Sequence, residues 1–367
     1  MNVNSFNGSY ILISAGQSGS VVNNILKRKL EDQNIPVETY IFNTSEFDTH
    51  GLENENFYLV GPGGGTGKNP ALGKKLAQEN KESIDSIIEN IHDKNAEGEE
   101  RKAIAVFFTY GSSGGSGGGL SSVIVSKIKS VFGKEVPVIV NSIKCFEFET
   151  IGNMNFVNNI IEMSGFLQRK EIVFNLVDNQ KFSDKHNTTD FKEINEYITN
   201  YLLLFNYDYI VKHSTLTDTF SLDRKDFYRL VNQKGNSGGV ASIYGYKDGE
   251  INNFFNYGGV DVEFAGARKV LCIVKDSKYI KDVKLALNKL GHTEIMEFKS
   301  MNFSDKLIGH KDLQALIYSV GEYKSDNIVD EVMEKYQESQ LINEEIKKKD
   351  SIKDDIKSKV KKIKMKV

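Results

Sequence analysis

The segment Ala103–Leu120 reads AIAVFFTYGSSGGSGGGL and organises the first half of the chain. Its apolar start, Ala103–Thr109, predicts a buried strand, and a helical pattern follows at Leu120–Phe132. Six of the nine residues of the intervening loop, Gly111–Gly119, are glycine. A glycine loop that enters a helix leaves backbone N–H groups unobstructed where the helix dipole favours anions. The segment therefore predicts a strand, loop and helix that can hold an anion.

Two further glycine loops occupy the same position between a strand and a helix. Five of the seven residues of Gly61–Gly67 (GPGGGTG) are glycine, and Ala15–Ser20 reads AGQSGS. One such loop is at least as consistent with a structural turn as with a ligand site. Three of them in one α/β domain favour a polyphosphate ligand.

Two familiar phosphate motifs do not explain these loops. A Walker A loop needs Gly, four residues and then Gly-Lys-Ser/Thr, but Pro62 occupies the first position and Asn69 the last. The dinucleotide fingerprint GxGxxG is also absent after the first strand, because Ala15–Ser20 has only two glycines. These departures disfavour a P-loop protein and a nicotinamide dehydrogenase.

Strand-like runs alternate with helical patterns through the first half, which predicts an α/β fold with a mostly parallel sheet. In such sheets ligands lie at the carboxyl ends of the strands. The predicted strands are Tyr10–Ser14, Val37–Phe42, Phe57–Val60, Ala103–Thr109, Val136–Val140 and Glu171–Val177, and the predicted helices are Val21–Leu30, Ala71–Ile91, Leu120–Phe132 and Phe156–Leu167.

The second half alternates less strictly and predicts a smaller domain after a long helix at Thr189–Phe205. An apolar stripe at helical spacing supports that helix. The later predicted helices are Arg224–Asn232, Lys278–Leu290 and one that begins near Ser325, and the strands are Val240–Tyr246, Arg268–Val274 and Leu313–Val320.

Charge is divided unevenly along the 367 residues. The formal net charge is −3, but Lys347–Val367 contains ten Lys and three Asp, so residues 1–346 carry −10. An acidic body has the wrong sign for coating nucleic acid. The pattern predicts a compact body with a basic interaction arm.

The remaining composition favours a cytoplasmic protein. Cys145 and Cys272 provide no disulfide framework, which fits a reducing compartment. We expect no signal peptide and no membrane span, because the longest apolar runs are too short. Six scattered His without HExxH or CxxC spacing disfavour a dedicated metal site.

The order and spacing of several motifs resemble those of the tubulin/FtsZ superfamily of GTP-binding filament proteins. Gly16–Gly19 (GQSG) is similar to its first phosphate loop, and Asn43–Glu46 (NTSE) to the next. Gly63–Pro70 (GGGTGKNP) resembles the third loop, and Ser113–Gly119 (SGGSGGG) resembles the family's GGGTG[ST]G sequence. The resemblance covers about residues 10–230. It implies a Rossmann-like GTP-binding domain, a long central helix, a smaller α+β second domain and a C-terminal helical tail.

The same resemblance implies GTP/GDP and Mg²⁺ as cofactors and a set of phosphate-loop contacts. Ser116 keeps the hydroxyl of the family's Thr position, whereas Gly118 lacks the second hydroxyl. The implied loop residues are Gly16, Gln17, Ser18, Asn43, Thr44, Gly64, Gly65, Thr66, Gly67, Asn69, Gly114, Gly115, Ser116, Gly117 and Gly118.

Contacts to the nucleoside are implied further along the chain. Glu149, in the segment Phe146–Glu149, matches the ribose carboxylate, and Asn179 matches the guanine-reading residue. Phe191 matches the ring that stacks on the base, and Asn195 matches a second guanine partner. From the residues alone, a core side chain on an apolar stripe is the favoured interpretation of Phe191, and Asn43 and Asn179 are as readily turn residues.

The segment Ser221–Asp226 (SLDRKD) resembles the family's NxDxxD loop, with Ser221 in place of Asn. The resemblance implies that Asp223 and Asp226 are catalytic and orient the water that attacks the γ-phosphate of the next subunit's nucleotide. The same residues also fit a helix N-cap followed by an acidic first turn, and the two interpretations are compatible.

These expectations divide the chain into a GTP-binding domain (1–186), a connecting helix (187–206), a second domain (207–322) and a C-terminal helix with a basic tail (323–367). In the tail, apolar residues from Ile342 to Val367 recur at near-helical spacing between lysines. The Lys-rich end resembles plasmid and bacteriophage tubulin-like proteins of the TubZ and PhuZ type. We expect a head-to-tail homopolymer and a DNA-bound adaptor at the tail, rather than direct DNA binding. A cell-division filament and a non-polymerising nucleotide-binding regulator are the alternatives.

Overall fold

The computed structural model describes residues 8–49, 56–96, 103–133, 136–168, 172–216, 222–229, 239–252, 267–290, 296–304 and 312–321. The helix predicted from Ser325, the basic tail and Ser221 lie outside these residues. All of the described residues belong to one compact unit.

The strands follow the predicted order closely in the first half and less closely in the second. They are β1 (Ser9–Ala15), β2 (Val37–Asn43), β3 (Phe57–Leu59), β4 (Ala103–Gly111), β5 (Val138–Lys144), β6 (Val173–Asp178), β7 (Ser214–Leu216), β8 (Gly239–Lys247), β9 (Glu250–Asn252), β10 (Ala267–Val274), β11 (Met296–Phe303) and β12 (Ala315–Gly321).

These strands form a sheet in the order β3-β2-β1-β4-β5-β6-β8-β12-β10-β11-β7, with β9 paired to β8. From β3 to β6 every neighbouring pair is parallel. The second half is mixed, since β12 runs antiparallel to both β8 and β10. The predicted parallel α/β half and the differently built second half are therefore confirmed.

The helices that cover the sheet are α1 (Gly16–Glu31), α2 (Pro70–Glu79), α3 (Lys81–Ala96), α4 (Gly115–Phe132), α5 (Thr150–Gln168), α6 (Asn179–His186), α7 (Phe191–Leu203), α8 (Tyr207–Lys212), α9 (Arg224–Arg229) and α10 (Ile280–Lys289). All residues of β1, β5 and β6 are buried. Strands buried on both faces need helices on both sides, and this requirement explains their continuous apolar sequences.

The single helix predicted at Ala71–Ile91 is wrong, because the structure has two helices there. Asn80 leaves helical geometry with φ −106° and ψ 18° and ends α2. Its side-chain amide donates to the Leu76 carbonyl at 2.9 Å, while its own carbonyl accepts from the Ile84 amide at 3.0 Å. A short polar side chain that bonds to nearby backbone competes with a continuous helix.

The two parts of the chain share one sheet through a short contact. Strand β6 pairs with β8 over two residue pairs, Val173 with Gly239 and Phe174 with Val240. Helix α7 contributes Ile194, Ile198 and Leu202 to a core that also contains residues of β8, β10 and β12. The predicted domain boundaries stay predictions, and α7 lies within the segment assigned to the connecting helix.

Close packing of α2 on α4 depends on glycine. A Cβ at Gly73 would lie 2.3 Å from the Gly115 carbonyl oxygen, and one at Gly119 would lie 2.7 Å from the Gly73 Cα. These contacts are shorter than real Cβ atoms allow, so the two helix backbones approach without side chains between them. This approach places the N-terminus of α2 beside the N-terminus of α4.

We expect Gly73→Ala to lower the free energy of unfolding by about 1–3 kcal/mol, because the new methyl group overpacks against backbone that must shift. Chemical denaturation measures the change. Gly64→Ala is the control, since a Cβ at Gly64 meets nothing within 4 Å. Equal losses in the two variants would contradict the packing argument.

Candidate functional site

A cavity of about 420 Å³ opens at the carboxyl ends of the parallel strands. It is lined by residues that follow β1, β2, β4, β5 and β6, together with the loop before α2 and the first residue of α7. The cavity thus occupies the place where open α/β sheets bind their ligands.

Four helices begin at this cavity. The residues Gly16, Gly115, Asn179 and Phe191 are the first of α1, α4, α6 and α7, and all four line it. Helix N-termini carry unpaired N–H groups and a partial positive charge. Their convergence favours a ligand with several negative charges.

The loops after β1 and β4 touch through their backbones. A Cβ at Gly16, whose φ is +70°, would lie 2.8 Å from the Gly117 nitrogen. One at Gly117 would lie 2.4 Å from the Gly111 carbonyl oxygen. Because no side chain fits at these positions, glycine is required to bring the two helix starts together.

The cavity lining includes an amide and an aromatic ring. Asn179 is buried, and its Oδ1 atom has no hydrogen-bond partner within the described residues. Phe191 is 55% exposed and meets Phe146 edge-on, with ring centroids 5.1 Å apart. An unpartnered acceptor beside an open ring face suits a planar base that presents N–H donors.

The opposite charges of Lys68 and Glu149 meet at the cavity wall. Lys68 Nζ donates to Glu149 Oε2 at 2.8 Å, and both residues line the cavity. The other carboxylate oxygen, Oε1, accepts from the Phe146 amide at 3.3 Å. The hydrogen bond that Lys68 donates to Glu149 raises the pKa of the Lys68 ammonium above its ordinary value, so the lysine stays charged.

Comparison with known proteins identifies the architecture. No protein-family model matches the chain, and no curated protein matches its sequence. The structure is similar to a GTPγS-form protofilament of TubZ from Bacillus thuringiensis serovar israelensis, at 16% identity over 95% of this chain and 96% of that one, with a TM-score of 0.69. It is also similar to a GTPγS-bound protofilament of CetZ2 from Haloferax volcanii, at 20% identity over 92% and 99%, with a TM-score of 0.65. An empty FtsZ dimer of M. jannaschii matches at 16% identity over 85% and 88%, with a TM-score of 0.55.

The chain has the tubulin/FtsZ fold. The resemblance drawn from the sequence motifs is therefore confirmed at the level of the fold.

Within this tubulin/FtsZ fold, most of the residues expected to bind nucleotide lie around one cavity. Those that line it are Gly16, Gln17, Ser18, Gly64, Gly65, Thr66, Gly67, Gly114, Gly115, Ser116, Gly117, Glu149, Asn179 and Phe191. Phe191 is not the core side chain that its helical stripe also allowed, because more than half of it is exposed.

Three expected residues lie behind the lining. The Asn43 side chain is buried and accepts from the Thr44 amide at 2.8 Å, which is the turn chemistry that its sequence also allowed. Thr44 Oγ1 lies 2.6 Å from the Oγ of Ser116, a lining residue. Gly118 lies inside α4, where a Cβ would be 2.9 Å from the Ser112 carbonyl oxygen.

Two more expected residues have other positions. Asn69 caps α2, since its Oδ1 accepts from the Leu72 amide at 3.1 Å. Asn195 is half-buried in α7, one turn after Phe191, and does not line the cavity. Direct contact of these two side chains with a ligand remains a prediction that the geometry does not support.

The cavity also has lining residues that the motifs did not assign. They are Ser45, Asp48, Lys68, Gly111, Ser113, Ile143 and Cys145. All of these except Asp48 lie at or just after the end of a strand or beside a glycine loop, so the carboxyl-end rule offered a signal for them. Burial raises the pKa of the Cys145 thiol to about 11, which keeps it protonated at neutral pH.

Asp223 and Asp226 do not line the cavity of their own chain. Asp223 is exposed, and its Oδ1 accepts from the Asp226 amide at 2.7 Å, so Asp223 caps α9. The capping pattern in the sequence instead began at Ser221, which lies outside the described residues. Asp226 Oδ2 lies 2.5 Å from Lys299 Nζ on β11. Asp223 thus lies at the start of a short helix, and Asp226 lies within that helix and is held by an ion pair.

A polar network around the buried Asp208 carboxylate connects helix α9 to strand β1. Both oxygens of Asp208 accept from Arg224 at 2.9 Å, and Oδ2 also accepts from the Tyr10 hydroxyl at 2.7 Å. The Asp208 side chain is only 6% exposed. Burial, with additional effects of Tyr228 and Asp208, raises the pKa of Tyr10 well above its ordinary value, so Tyr10 remains a donor.

No group of three or more His, Cys, Asp or Glu that could hold a metal occurs in the described part of the chain. Of the helices described, none is long and apolar enough to cross a membrane.

We expect Arg224→Met to lower the free energy of unfolding by about 3 kcal/mol, because the buried Asp208 carboxylate loses its charged partner. The control is Lys247→Met, whose ion pair with Asp312 spans 3.5 Å and is largely exposed, so its loss should cost less than about 1 kcal/mol. Urea denaturation of both variants measures the difference. Similar small losses in both would show that the network does not stabilise the fold.

Proposed function

We propose that the chain is a GTP-binding and GTP-hydrolysing tubulin-like protein that assembles head to tail into dynamic filaments. The observation that carries the proposal is the cavity itself. The glycine-containing loops before α2 and at the starts of α1 and α4 line it, and so do Asn179 and Phe191. The loops suit a polyphosphate and the other two residues suit a planar base, and a nucleotide joins these two parts. The volume of about 420 Å³ lies in the range of small-ligand sites.

The unpartnered Oδ1 of Asn179 supports guanine as the base. Guanine presents an N1–H and a 2-amino group on one edge, and both donate hydrogen bonds. Occupying a buried acceptor removes the penalty of leaving it unpaired. Phe191 supplies an exposed ring for stacking, and Glu149 supplies a carboxylate that can accept from ribose hydroxyls.

Backbone N–H groups of the loops after β1 and β4 are the main groups that hold the phosphates. The Ser116 hydroxyl contributes a further contact. Mg²⁺ fits this donor set only as an ion shared with the phosphates, since such ions use one or two carboxylates together with substrate oxygens. Asp48 is a half-buried carboxylate of the lining that can take that part. The ion supplies charge neutralisation on the transferring phosphoryl group.

Hydrolysis on this proposal needs two copies of the chain. Asp223 and Asp226 lie outside their own cavity, so they act on the nucleotide of a neighbouring copy. Placement of the attacking water and stabilisation of charge are the main requirements of phosphoryl transfer. The neighbours solved as TubZ and CetZ2 protofilaments support assembly of this kind.

Plasmid segregation or positioning of phage DNA is the cellular role that we propose, in the cytoplasm and with a DNA-bound adaptor as partner of the basic tail. Two points support it: the Lys-rich end of the sequence, and similarity to TubZ of the Clostridium botulinum phage c-st. The free, buried thiols of Cys145 and Cys272 fit a reducing compartment. A cell-division filament or a regulator that does not polymerise is the alternative.

Nucleotide competition tests the proposed ligand. Labelled GTP bound to the full chain should be displaced by GTP, whereas ITP, which lacks the 2-amino group, and ATP should each compete at least about tenfold less well. Asn179→Ala should reduce the preference for GTP over ITP. Equal competition by GTP and ATP would refute guanine recognition.

Two variants of Asp223 separate catalysis from folding. Asn caps a helix as well as Asp does, so Asp223→Asn keeps the cap of α9 and removes only the charge. Both Asp223→Asn and Asp223→Ala should lower phosphate release by about 100-fold or more, with GTP binding retained and filaments that persist in light scattering.

If Asp223→Asn hydrolyses GTP normally and only Asp223→Ala fails, Asp223 serves the helix rather than the reaction. If the unaltered chain shows no rise in scattering with GTP over a wide concentration range, the filament proposal fails and the regulator is favoured.

A further inference from the structure

Lys68 is the one lysine or arginine among the described residues that line the cavity. Its side chain is 57% exposed, whereas that of its partner Glu149 is 21% exposed. An ion pair with one exposed member gains little net stability, because water screens the charges and the lysine loses freedom. The Lys68 ammonium is therefore available to a ligand that carries more charge than one carboxylate.

The backbone of Lys68 is fixed more firmly than its side chain. The residue has a left-handed φ of 60°, and its carbonyl accepts from Asn155 Nδ2 at 2.8 Å. The same amide donates to the Ser113 carbonyl at 3.1 Å, which ties the loop before α2 to the loop before α4. The backbone of Lys68 is thus held between two glycine loops, whereas its ammonium group can change position.

The rest of the lining gives that ammonium a specific task. The glycine loops contribute backbone N–H groups and partial helix charges, but no full positive charge. A nucleoside triphosphate carries several negative charges, and a charged donor strengthens its hydrogen bonds to phosphate oxygens. Within the described lining, Lys68 alone can supply that charge.

We propose that Lys68 binds the phosphate chain of the nucleotide and that its ion pair with Glu149 opens when the phosphates arrive. The contact between Lys68 and Glu149 is then exchanged for two contacts with the nucleotide. Lys68 leaves Glu149 for the phosphates, and the Glu149 carboxylate, still positioned by the Phe146 amide, is released to accept from the ribose hydroxyls. This inference rests on the proposed function, since it names a binding residue of the same site.

The exchange makes the contribution of Lys68 depend on the number of phosphates. Isothermal titration of the full chain with GTP, GDP and GMP measures it. Lys68→Met should weaken GTP binding by about tenfold or more, GDP binding less, and GMP binding by no more than about threefold. Lys68→Arg, which keeps the charge, should restore most of the GTP affinity.

Lys74→Met is the matched control. Lys74 lies on α2, forms an ion pair with Glu162 at 2.7 Å and does not line the cavity. Its loss should leave all three affinities unchanged. Lys68→Asn is a second neutral variant, because Asn tolerates the left-handed backbone of this position, and it should repeat the Lys68→Met result.

The outcomes distinguish this inference from the proposed function. Failure of the unaltered chain to bind GTP overturns both. If the unaltered chain binds GTP but Lys68→Met weakens the binding of GTP, GDP and GMP by the same factor, the inference alone is overturned. Lys68 would then only hold Glu149 in place. Unchanged GTP affinity in both neutral variants also overturns it. A loss that grows with each added phosphate supports it.

Discussion

Direct contact between the glycine backbones after β1 and β4 is the constraint on which the site depends. A Cβ at Gly16 would meet the Gly117 nitrogen at 2.8 Å, and one at Gly117 would meet the Gly111 oxygen at 2.4 Å. Without side chains between them, α1 and α4 begin at the same cavity. On the proposed function, the chain therefore builds its anion site from main-chain groups, and only Lys68 among the described lining residues adds a full positive charge.

The acidic side of the molecule is built by a different means. Asp208 and Arg224 hold α9 through a partly buried ion pair that uses both carboxylate oxygens, and Lys299 on β11 pairs with Asp226. Lys299 and Asp226 are 73 residues apart, and Asp208 also accepts from Tyr10 of β1, 198 residues away, so these contacts fix α9 relative to the sheet. Backbone geometry shapes the glycine loops, whereas paired charges place the carboxylates. A substitution of glycine in these loops should therefore disturb the cavity, whereas a substitution of Arg224 should disturb the placement of the carboxylates.

Much of the first half was predictable from sequence because its signals are local. Buried parallel strands read as continuous apolar runs, and glycine loops mark where they end. What failed was decided by single side chains or by distant pairing. Asn80 interrupts a helical pattern through one amide, and β11 was not predicted, although it pairs in parallel with β10. Asp48 joins the cavity through folding of the chain after β2, which no motif encodes.

On the proposed function, the chemistry places one further demand on the contact between copies. No described residue after Phe191 lines the cavity, so the carboxylates arrive from outside, and a contact that joins different surfaces extends into a filament rather than closing. Carboxylates that approach a triphosphate meet like charge, which opposes the contact. Two pairings reduce this opposition: Lys299 offsets Asp226 on one surface, and Lys68 offsets the phosphates on the other. Filament growth and phosphate neutralisation then depend on the same electrostatic balance, to which each of the two contacting surfaces contributes one lysine.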